Sequence, residues 1–575
     1  MAYERNFDLL NSKFKEMFVP TLFASIAGNF AILLDAFIIS LFMGAINLSV
    51  IQSIEPLAQF INMVYWLIGF GGSILCTTAR AEFKSEKANE LFTISIVGIL
   101  IISIIITLLG IIFPDAFLSI LCSSSQLKPL VMEYFSLFIY SIPFQCYVVV
   151  LAYFIKTDDF INLQFRAYLL SNLVNVILNV VFIKFVGLGV GGAALATTIG
   201  YVLSALYISS YFFNSRRTLK LVKFHLSKSV RYMIDISKTG FSSCSIPLYN
   251  TLRLLVLNAL VFSLMGKVGL AAYNMCYNVL FLVGIFVFGT AQSLLPIIAV
   301  YFQEGDYTGV NYVSRRSLKL VLAFGIFFTA LFVIYPQSIL FLFSVNNPAD
   351  IPIVMNAIRM FSICILGYAI NFLYIFYAQS VQYTKLANMV TILEGLILPI
   401  LFAYVFCGLW GAEAFWISAA AAEFGTVLFI YIYSKIMTKK TNGEYSGFFL
   451  GKHEEEGRVM EYTLEGNVED AVNLSRKVQD FITDDRQSIF VSLALEEIII
   501  YIIEINRDKL DWIDVIIRDT EKSMLISIKH SGHGFNPDNN EAVSSDNIKM
   551  LTSISEKIDY SQILGLNNTV ITIKK

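Results

Sequence analysis

Five polar side chains lie inside long apolar stretches of this sequence, where polar groups are rare and costly. Asp35 lies in NFAILLDAFIISLFMG with no charged neighbour, and Asn172, Asn175 and Asn179 recur at i, i+3 and i+7 in a later stretch. That spacing places the three amides on one helix face, and Thr197 offers a hydroxyl near the start of the next stretch. Carboxylate, amide and hydroxyl oxygens suit a small hard cation, and a buried Asp can instead take up a proton. The pattern predicts a cation or proton site, although membrane Asn and Thr also join helices by hydrogen bonds alone.

A second set of polar residues lies in the later half of the apolar region. Asn371 and Glu394 are the candidates there, because Glu394 lies well inside its apolar segment. Glu423 could instead lie near a helix end or pack against a neighbouring helix. The 49 Phe and 29 Tyr could line a cavity for an aromatic or cationic organic substrate. Most aromatic residues of such a chain face lipid or the membrane interface, which is the alternative interpretation.

The elements that must position these residues follow from composition. The chain has 575 residues, of which 57% are hydrophobic and only 15% charged, whereas soluble proteins average about 25% charged residues. This composition excludes a single soluble globule. The net charge of −2 excludes a generally basic nucleic-acid binder, and seven cysteines in this length exclude a disulfide framework.

Twelve segments are long and apolar enough to cross a bilayer, which needs about 20 residues. They predict an all-α polytopic membrane part with two six-helix lobes. The segments are 17–43, 51–76, 92–113, 130–155, 163–185, 189–213, 237–264, 270–300, 317–343, 352–382, 386–407 and 411–436.

Charge placement predicts the orientation of this membrane part. Of the Lys and Arg in the loops between segments, only Lys128, Lys184 and Lys267 fall on one side, and the remainder fall on the other. By the positive-inside rule the richer side, with both chain ends, is cytoplasmic, in an inner or plasma membrane. The predicted parts are an N-lobe at 1–213, a linker at 214–236 whose pattern suits an amphipathic helix on an anionic lipid surface, and a C-lobe at 237–437.

The chain continues beyond the last segment with a different composition. After residue 440 it carries 24 acidic and 14 basic residues, against 19 acidic and 27 basic before. A polar linker at 438–457 precedes a domain at 458–575, for which the pattern predicts an α/β sandwich. A strand RVMEYTLE, helices over 467–484 and 486–507, a hairpin from DWIDVIIRD and KSMLISIKH, a helix near 545–556 and strands KIDYSQIL and NTVITIKK are expected. We also expect this acidic domain to dock on the basic cytoplasmic face of the membrane part.

Residues 1–437 resemble the multidrug and toxic compound extrusion (MATE) transporters. The resemblance is carried by Asp35 followed by Gly44, by GFGGS at 69–73, by NVILNVVFIKFVGLGVGGAALATTIG and by GLWGAEAFW at 408–416. It implies a twelve-helix antiporter driven by Na⁺ or H⁺, with Asp35, Asn175, Asn179 and Thr197 at the N-lobe cation site. The family usually has Asp where this chain has Asn179, so Asp35 stands as the one carboxylate of that site.

The C-terminal domain resembles the histidine-kinase-like ATPase fold of anti-sigma-factor serine kinases. VSLALEEIIIYIIEI is similar to the helix that carries the metal-binding Asn, and KHSGHGFNP is similar to the Asp-x-Gly-x-Gly-Phe box. Glu497 matches the acidic residue, but Tyr501 and His530 replace the metal-binding Asn and the adenine-binding Asp. Gly532 and Gly534 keep the loop. These replacements make Mg²⁺ and ATP doubtful and predict a degenerate, regulatory domain.

The sequence as a whole predicts an antiporter that exports a small organic solute, for which an organic cation is one candidate, and that is not an enzyme. No Walker-A sequence is present, which argues against ATP-driven pumping. The alternatives are a membrane-tethered signalling protein that acts through its kinase-like domain, with a cytoplasmic regulatory protein as partner, or a flippase for lipid-linked precursors. No nucleic acid and no firm cofactor is expected.

Overall fold

The computed structural model describes most of the chain. The described residues are 5–43, 50–51, 53–121, 127–224, 226–342, 351–452, 457–506, 512–520, 523–533 and 555–574.

Twelve long helices form the first three quarters of the molecule. Their backbone groups bond within each helix, which is what a chain in hydrocarbon requires. They are α1 Asp8–Met43, α2 Glu55–Ala81, α3 Ser85–Ile112, α4 Lys128–Thr157, α5 Ile161–Val186, α6 Gly189–Phe213, α7 Lys228–Gly266, α8 Val268–Gln303, α9 Tyr307–Ile334, α10 Ile351–Ser380, α11 Thr384–Trp410 and α12 Ala412–Lys440.

These helices follow the predicted apolar segments closely. Within the described residues, α2 to α12 are eleven helices apolar enough to cross a membrane. The first predicted segment falls in α1, which has 36 residues. The predicted fold class, a helical membrane part followed by a small α/β region, is confirmed.

The segment between α6 and α7 differs from its prediction as an amphipathic helix over 214–236. Residues 214–224 have no regular helix, and helix begins only at Leu226. The polar backbone of this segment is bound by side chains instead. Asp158 accepts from the Thr218 N–H at 2.9 Å, Asn89 from the Lys220 N–H at 2.8 Å, and Thr93 from the Val222 N–H at 3.0 Å. Helical bonds are therefore not needed to satisfy it.

The two lobes meet through an unusually close helix crossing. Gly71 of α2 lies against the Ile236 carbonyl in α7, and Gly240 of α7 lies against the Leu67 carbonyl in α2. A Cβ at either glycine would overlap backbone atoms of the partner helix. The two glycines thus allow the backbones of α2 and α7 to touch.

The linker after α12 carries a small hairpin that the sequence did not predict. Its strands are β1 Tyr445–Ser446 and β2 Gly451–Lys452. Phe449, at its tip, packs against Tyr377 of α10 with ring centroids 4.8 Å apart. The hairpin therefore fixes the linker to the C-lobe.

Where the structure describes it, the C-terminal domain is a five-stranded antiparallel sheet with two helices, α13 Val468–Phe481 and α14 Asp485–Ile505. The sheet order is β3-β4-β5-β7-β6, and each neighbouring pair is antiparallel. The strands are β3 Arg458–Leu464, β4 Ile513–Asp519, β5 Ser523–His530, β6 Ser555–Ile563 and β7 Leu566–Lys574.

One predicted element of this domain needs correction. The helix expected near 545–556 falls mostly outside the described residues. Its last two positions, Ser555 and Glu556, belong to β6. Ser555 pairs with Ile573 of β7 across an irregularity in the register, so the strand starts earlier than expected.

Alternation along the strands gives the sheet two different faces. Side chains such as Val515, Ile526 and Ile571 form one core with α13 and α14. The opposite face carries Glu461, Asp514, Lys529 and other polar residues, and it is covered by the turn between α8 and α9 and by the N-terminal segment. We call the helix ends that the sheet covers the docked end of the membrane part.

Arg5 is the centre of this covered face. Its side chain is fully buried, and the guanidinium lies 2.9 Å from Asp306, 3.0 Å from Asp514 and 3.3 Å from Glu461. Burial raises the pKa of Asp306, but the adjacent Arg5 and Lys529 outweigh it and hold that pKa below its usual range. The Asp306 carboxylate is therefore ionised and depends on the two cations for compensation.

Replacing Arg5 tests the docking of the sheet. In Arg5→Met, three buried carboxylates lose their shared cation, and removing one partner of a buried ion pair costs about 3–5 kcal/mol. We expect the C-terminal domain to be released by protease at much lower urea concentration than in the parent protein. Lys557→Met is the control, because Lys557 pairs with Asp559 at the surface and its side chain is 62% exposed. Equal protease resistance of both variants would mean that Arg5 does not hold the sheet.

Candidate functional site

The predicted N-lobe residues form a hydrogen-bonded chain between α5 and α6. Asn179 donates to the Asn175 Oδ1 at 3.3 Å, and Asn175 donates to the Thr197 Oγ1 at 2.9 Å. Thr197 in turn donates to the Ala193 carbonyl at 3.1 Å. Asn179 is fully buried. The structure thus brings three of the four predicted residues together.

The fourth N-lobe residue, Asp35, lies in α1, and its side chain lies outside the described part of the chain. Helix α1 packs along α5, the helix that carries Asn175 and Asn179. Both asparagines and Thr197 are neutral, so in this set the charge needed to attract a cation rests on Asp35.

A second buried polar cluster lies in the C-lobe. Asn371 of α10 donates to Glu423 Oε2 at 2.8 Å and to the Glu423 carbonyl at 2.9 Å. Glu394 of α11 and Arg253 of α7 lie close enough to Glu423 to interact with it electrostatically. The four side chains are buried, with exposures of 0% for Asn371, 3% for Glu423, 4% for Glu394 and 6% for Arg253. Two carboxylates thus face one guanidinium.

Local backbone features bring the two carboxylates into this cluster. Glu394 lies in a π-helical turn, Leu393–Ile397, just before Pro399, which cannot donate the usual helical hydrogen bond. Gly367 of α10 lies against Glu423, where a Cβ would overlap the Glu423 side chain. The first feature turns Glu394 inward, and the second lets α12 approach α10.

The C-lobe cluster has unused hydrogen-bonding capacity. Within the described residues, Asn371 Oδ1 and Arg253 Nε have no hydrogen-bond partner. A cavity of about 30 Å³ beside the cluster is lined in part by Arg253, Tyr273, Tyr277 and Glu423. That is room for about one water or one small ion. Asn371 and Glu394 were predicted; the contribution of Glu423 was missed, because sequence alone allowed a packing role.

A larger cavity of about 300 Å³ lies between the lobes. Its described lining contains no charged side chain, and seven of its 17 residues are aromatic. Amides add polar groups to it, among them Asn172, which lies on the same helix as Asn175. The lining includes Tyr65, Trp66, Tyr153, Gln164, Phe165, Tyr168, Asn172, Tyr201, Phe288 and Gln292.

Contacts between the lobes close this cavity toward the docked end. Lys156 of α4 donates to the Gln292 carbonyl of α8 at 2.9 Å, and Gln382 donates to Thr78 at 2.9 Å. The glycine crossing of α2 and α7 adds to this closure. In this conformation the lobes are joined on the docked side of the cavity.

The predicted nucleotide-site remnants lie around the end of β5. His530 is 1% exposed, and burial lowers its pKa to about 4, so the ring is neutral near pH 7. Glu497 and Tyr501 are half-buried on α14, one turn apart. Gly534 lies outside the described residues.

Two asparagines that the sequence did not single out hold the turn after His530. Asn506 accepts from the His533 N–H, and Asn567 donates to the Gly532 carbonyl at 2.9 Å. A Cβ at Gly532 would overlap the Asn506 side chain. The turn is therefore packed against asparagine side chains, an arrangement that only tertiary structure reveals.

The membrane part is similar to known transport proteins. The MatE family model matches residues 20–181 and 241–405. Multidrug export protein MepA of Staphylococcus saprophyticus is 23% identical over 417 residues, covering 72% of this chain and 91% of the relative. The Staphylococcus haemolyticus MepA is 24% identical over 400 residues, covering 68% and 87%.

Solved structures agree on the fold. An outward-facing multidrug resistance MATE family transporter of the MOP superfamily superposes with a TM-score of 0.69 at 17% identity, covering 77% of this chain and all of that one. A MATE crystal structure in complex with MaD3S gives 0.69 at 17% identity, covering 75% and 96%. The matched family model spans more than half of the sequence, and the residues it matches are those whose motifs suggested the same relationship. The chain therefore belongs to the MATE family.

Proposed function

We propose that this protein exports a small organic solute across a cell membrane in exchange for Na⁺ or H⁺. The observation that carries the proposal is the cavity between the lobes, whose described lining is rich in aromatic rings and contains no charged side chain. Its volume of about 300 Å³ suits a small organic molecule. Membership of the MATE family and the printed name of the MepA relatives, multidrug export protein, support the direction and class of transport.

An aromatic lining without charge favours aromatic or cationic solutes. The faces of Tyr and Trp attract cations, and their edges and faces stack on aromatic groups. Amides such as Gln164 and Gln292 can orient a solute without fixing its identity. Weak, orientation-tolerant contacts of this kind are what an exporter of several related solutes needs.

Coupling requires a site whose occupancy changes the balance between lobe arrangements. The C-lobe cluster is suited to this, because its two carboxylates exceed its one guanidinium by a negative charge. A proton or Na⁺ entering the cluster compensates that charge and favours the conformation that buries it. Asp35, with Asn175, Asn179 and Thr197, is the corresponding N-lobe site.

We place both chain ends and the C-terminal domain in the cytoplasm. Arg5 and the C-terminal sheet lie at the same end of the helices, which is the end richest in Lys and Arg. The positive-inside rule makes that end cytoplasmic. The domain is then a regulatory module on the inner face, and the driving energy comes from the ion gradient.

Replacing Asp35 tests the N-lobe coupling site. Asp35→Asn removes the one carboxylate of that set but keeps its size, so ion-driven efflux is expected to be lost while the protein still folds. Efflux from proteoliposomes under separate Na⁺ and pH gradients measures this and identifies the ion. Unchanged efflux in the variant would remove Asp35 from the mechanism.

Replacing Glu423 tests the C-lobe cluster independently. Glu423→Gln keeps the Asn371 contact possible but abolishes the excess negative charge, and we expect ion-driven efflux to fall by about tenfold or more, a change of about 1.4 kcal/mol in the barrier. Glu413→Gln, an exposed Glu near the start of α12, is the matched control and should stay within about twofold. Equal rates for the two variants would contradict a coupling role for Glu423.

Nucleotide binding distinguishes the transporter from the signalling alternative. Buried, neutral His530 lacks the anionic acceptor that an adenine site provides, so the full-length protein should bind no Mg-ATP at millimolar nucleotide. Isothermal titration calorimetry of the purified protein in detergent measures this directly. Saturable heat at a 1:1 ratio would instead favour a working kinase-like domain.

A further inference from the structure

The C-terminal domain contacts both lobes of the transporter at once. On the C-lobe side, Lys529 lies 2.6 Å from Glu304 and its ammonium lies 3.9 Å from the ring centre of Tyr301. Arg518 donates to the Gly305 carbonyl at 2.9 Å, and Asn568 donates to Glu304 at 2.7 Å. These contacts are charged and buried. We call them the C-lobe dock.

On the N-lobe side, the contact is made by the turn between β6 and β7. The Leu564 N–H donates to the Thr157 carbonyl at 3.1 Å, and Arg80 donates to the Gln562 carbonyl. Gly565 lies directly against the Asp159 carboxylate. We call residues 562–565 the latch.

The two attachments differ in strength. The C-lobe dock adds to a linker that is already fixed to the C-lobe by the β1–β2 hairpin, whose Phe448 and Phe449 pack on Tyr374. The latch has no ion pair to the N-lobe among the described residues. It also borders a cavity of about 890 Å³, lined in part by Asp159, Arg216 and His533, so water can reach it. Arg5 of the N-terminal segment also contacts the sheet, but it lies against the C-lobe, 2.9 Å from Asp306. If the lobes separate, the latch is therefore the contact with the N-lobe helices that breaks.

The latch also lies at the end of the lobes that must open. The contacts of Lys156 with Gln292 and of Gln382 with Thr78 join the lobes at the same end. Thr157, which accepts the latch hydrogen bond, is the neighbour of Lys156. A domain attached to the C-lobe that also holds Thr157 therefore adds its binding energy to the closed arrangement.

We propose that the C-terminal domain is a clamp that holds the cytoplasmic side of the transporter closed. The proposal rests on the two-lobe export mechanism above and gives the regulatory domain its action. With the latch engaged, the latch contacts stabilise the state that is closed on the cytoplasmic side. These contacts are lost when that side opens, so opening costs their free energy. A cytoplasmic factor that pulls the latch from the N-lobe favours inward opening without touching the substrate cavity.

A single substitution releases the latch. Gly565→Asp introduces a carboxylate against Asp159, and both a steric overlap and like-charge repulsion separate the two surfaces. The matched control is Gly443→Asp in the linker. Gly443 also has a positive φ, of 93°, but an added Cβ there meets no atom within 4 Å. Backbone strain is thus similar in both, and only one variant disturbs the latch.

The distance between the lobes is the readout, and it does not depend on transport. Spin labels at exposed Lys87 of the N-lobe and Lys385 of the C-lobe, in a cysteine-depleted full-length protein, report the opening of the docked end by pulsed electron resonance. We expect Gly565→Asp to gain a longer-distance population that the parent and Gly443→Asp lack. Identical distance distributions in all three proteins would overturn the clamp.

A reversible lock keeps the proposal testable if Gly565→Asp fails to fold. Asp159→Cys combined with Gly565→Cys places two thiols at the latch, where an added Cβ at 565 already meets the side chain of residue 159. Oxidation should confine the spin labels to the short distance and stop efflux, and reduction should restore both. A fully cross-linked protein that still reaches the long distance would contradict the clamp. Absence of efflux in every state, with the distances behaving as expected, would count against the proposed transport alone.

Discussion

Charged side chains buried between the C-terminal sheet and the membrane helices are the constraint on which this architecture depends. Arg5 and Lys529 are each less than a tenth exposed, and they face Glu304, Asp306, Glu461 and Asp514 in the same layer. Removing such charges from water costs several kcal/mol for each ion, and the cost is offset only when partners surround each one. The partners come from three separate parts of the chain: the N-terminal segment, the α8–α9 turn and the sheet. The buried charges of each part are compensated in that layer by charges from the other two parts.

This dependence joins the soluble part of the protein to its moving part. The α8–α9 turn belongs to the C-lobe, and the N-terminal segment leads directly into α1, the helix that carries Asp35. The sheet therefore lies where the lobes are held together, and it is connected to both lobes.

The membrane part, by comparison, contains few side chains that could take part in ion or solute binding. They form an aromatic cavity without charge, a neutral asparagine chain in one lobe and a carboxylate pair in the other. Neither buried polar cluster shares a described lining residue with the aromatic cavity. In the proposed function, coupling between an ion and a solute therefore passes through the arrangement of the lobes.

Much of the fold could be predicted from the sequence, because membrane spans and strands leave periodic signals. Helix bounds follow the apolar segments, and the alternation in DWIDVIIRD and KSMLISIKH gives the β4–β5 hairpin. The burial of the outward strand positions could not be predicted. Asp514 and Lys529 have the pattern of solvent-facing residues, and only the partners at Arg5 and Glu304 show that they are covered. Docking of the acidic domain was expected from net charge, but the observed contact depends on individual buried pairs. The contacts of Glu423 and Asn506 could not be predicted for the same reason, because the burial of a polar residue is decided by what packs against it.

We infer that Arg5 holds the C-terminal sheet on the membrane helices through the buried carboxylates that surround its guanidinium. A double-mutant cycle between Arg5→Met and Asp514→Asn measures that interaction most directly, with undocking of the domain followed by urea-dependent proteolysis. Contacting residues in one ion-pair network show coupling energies of about 0.5–3 kcal/mol. We predict a value in the upper half of that range, since both groups are almost fully buried. A coupling energy near zero, with the two single changes simply additive, would contradict the account.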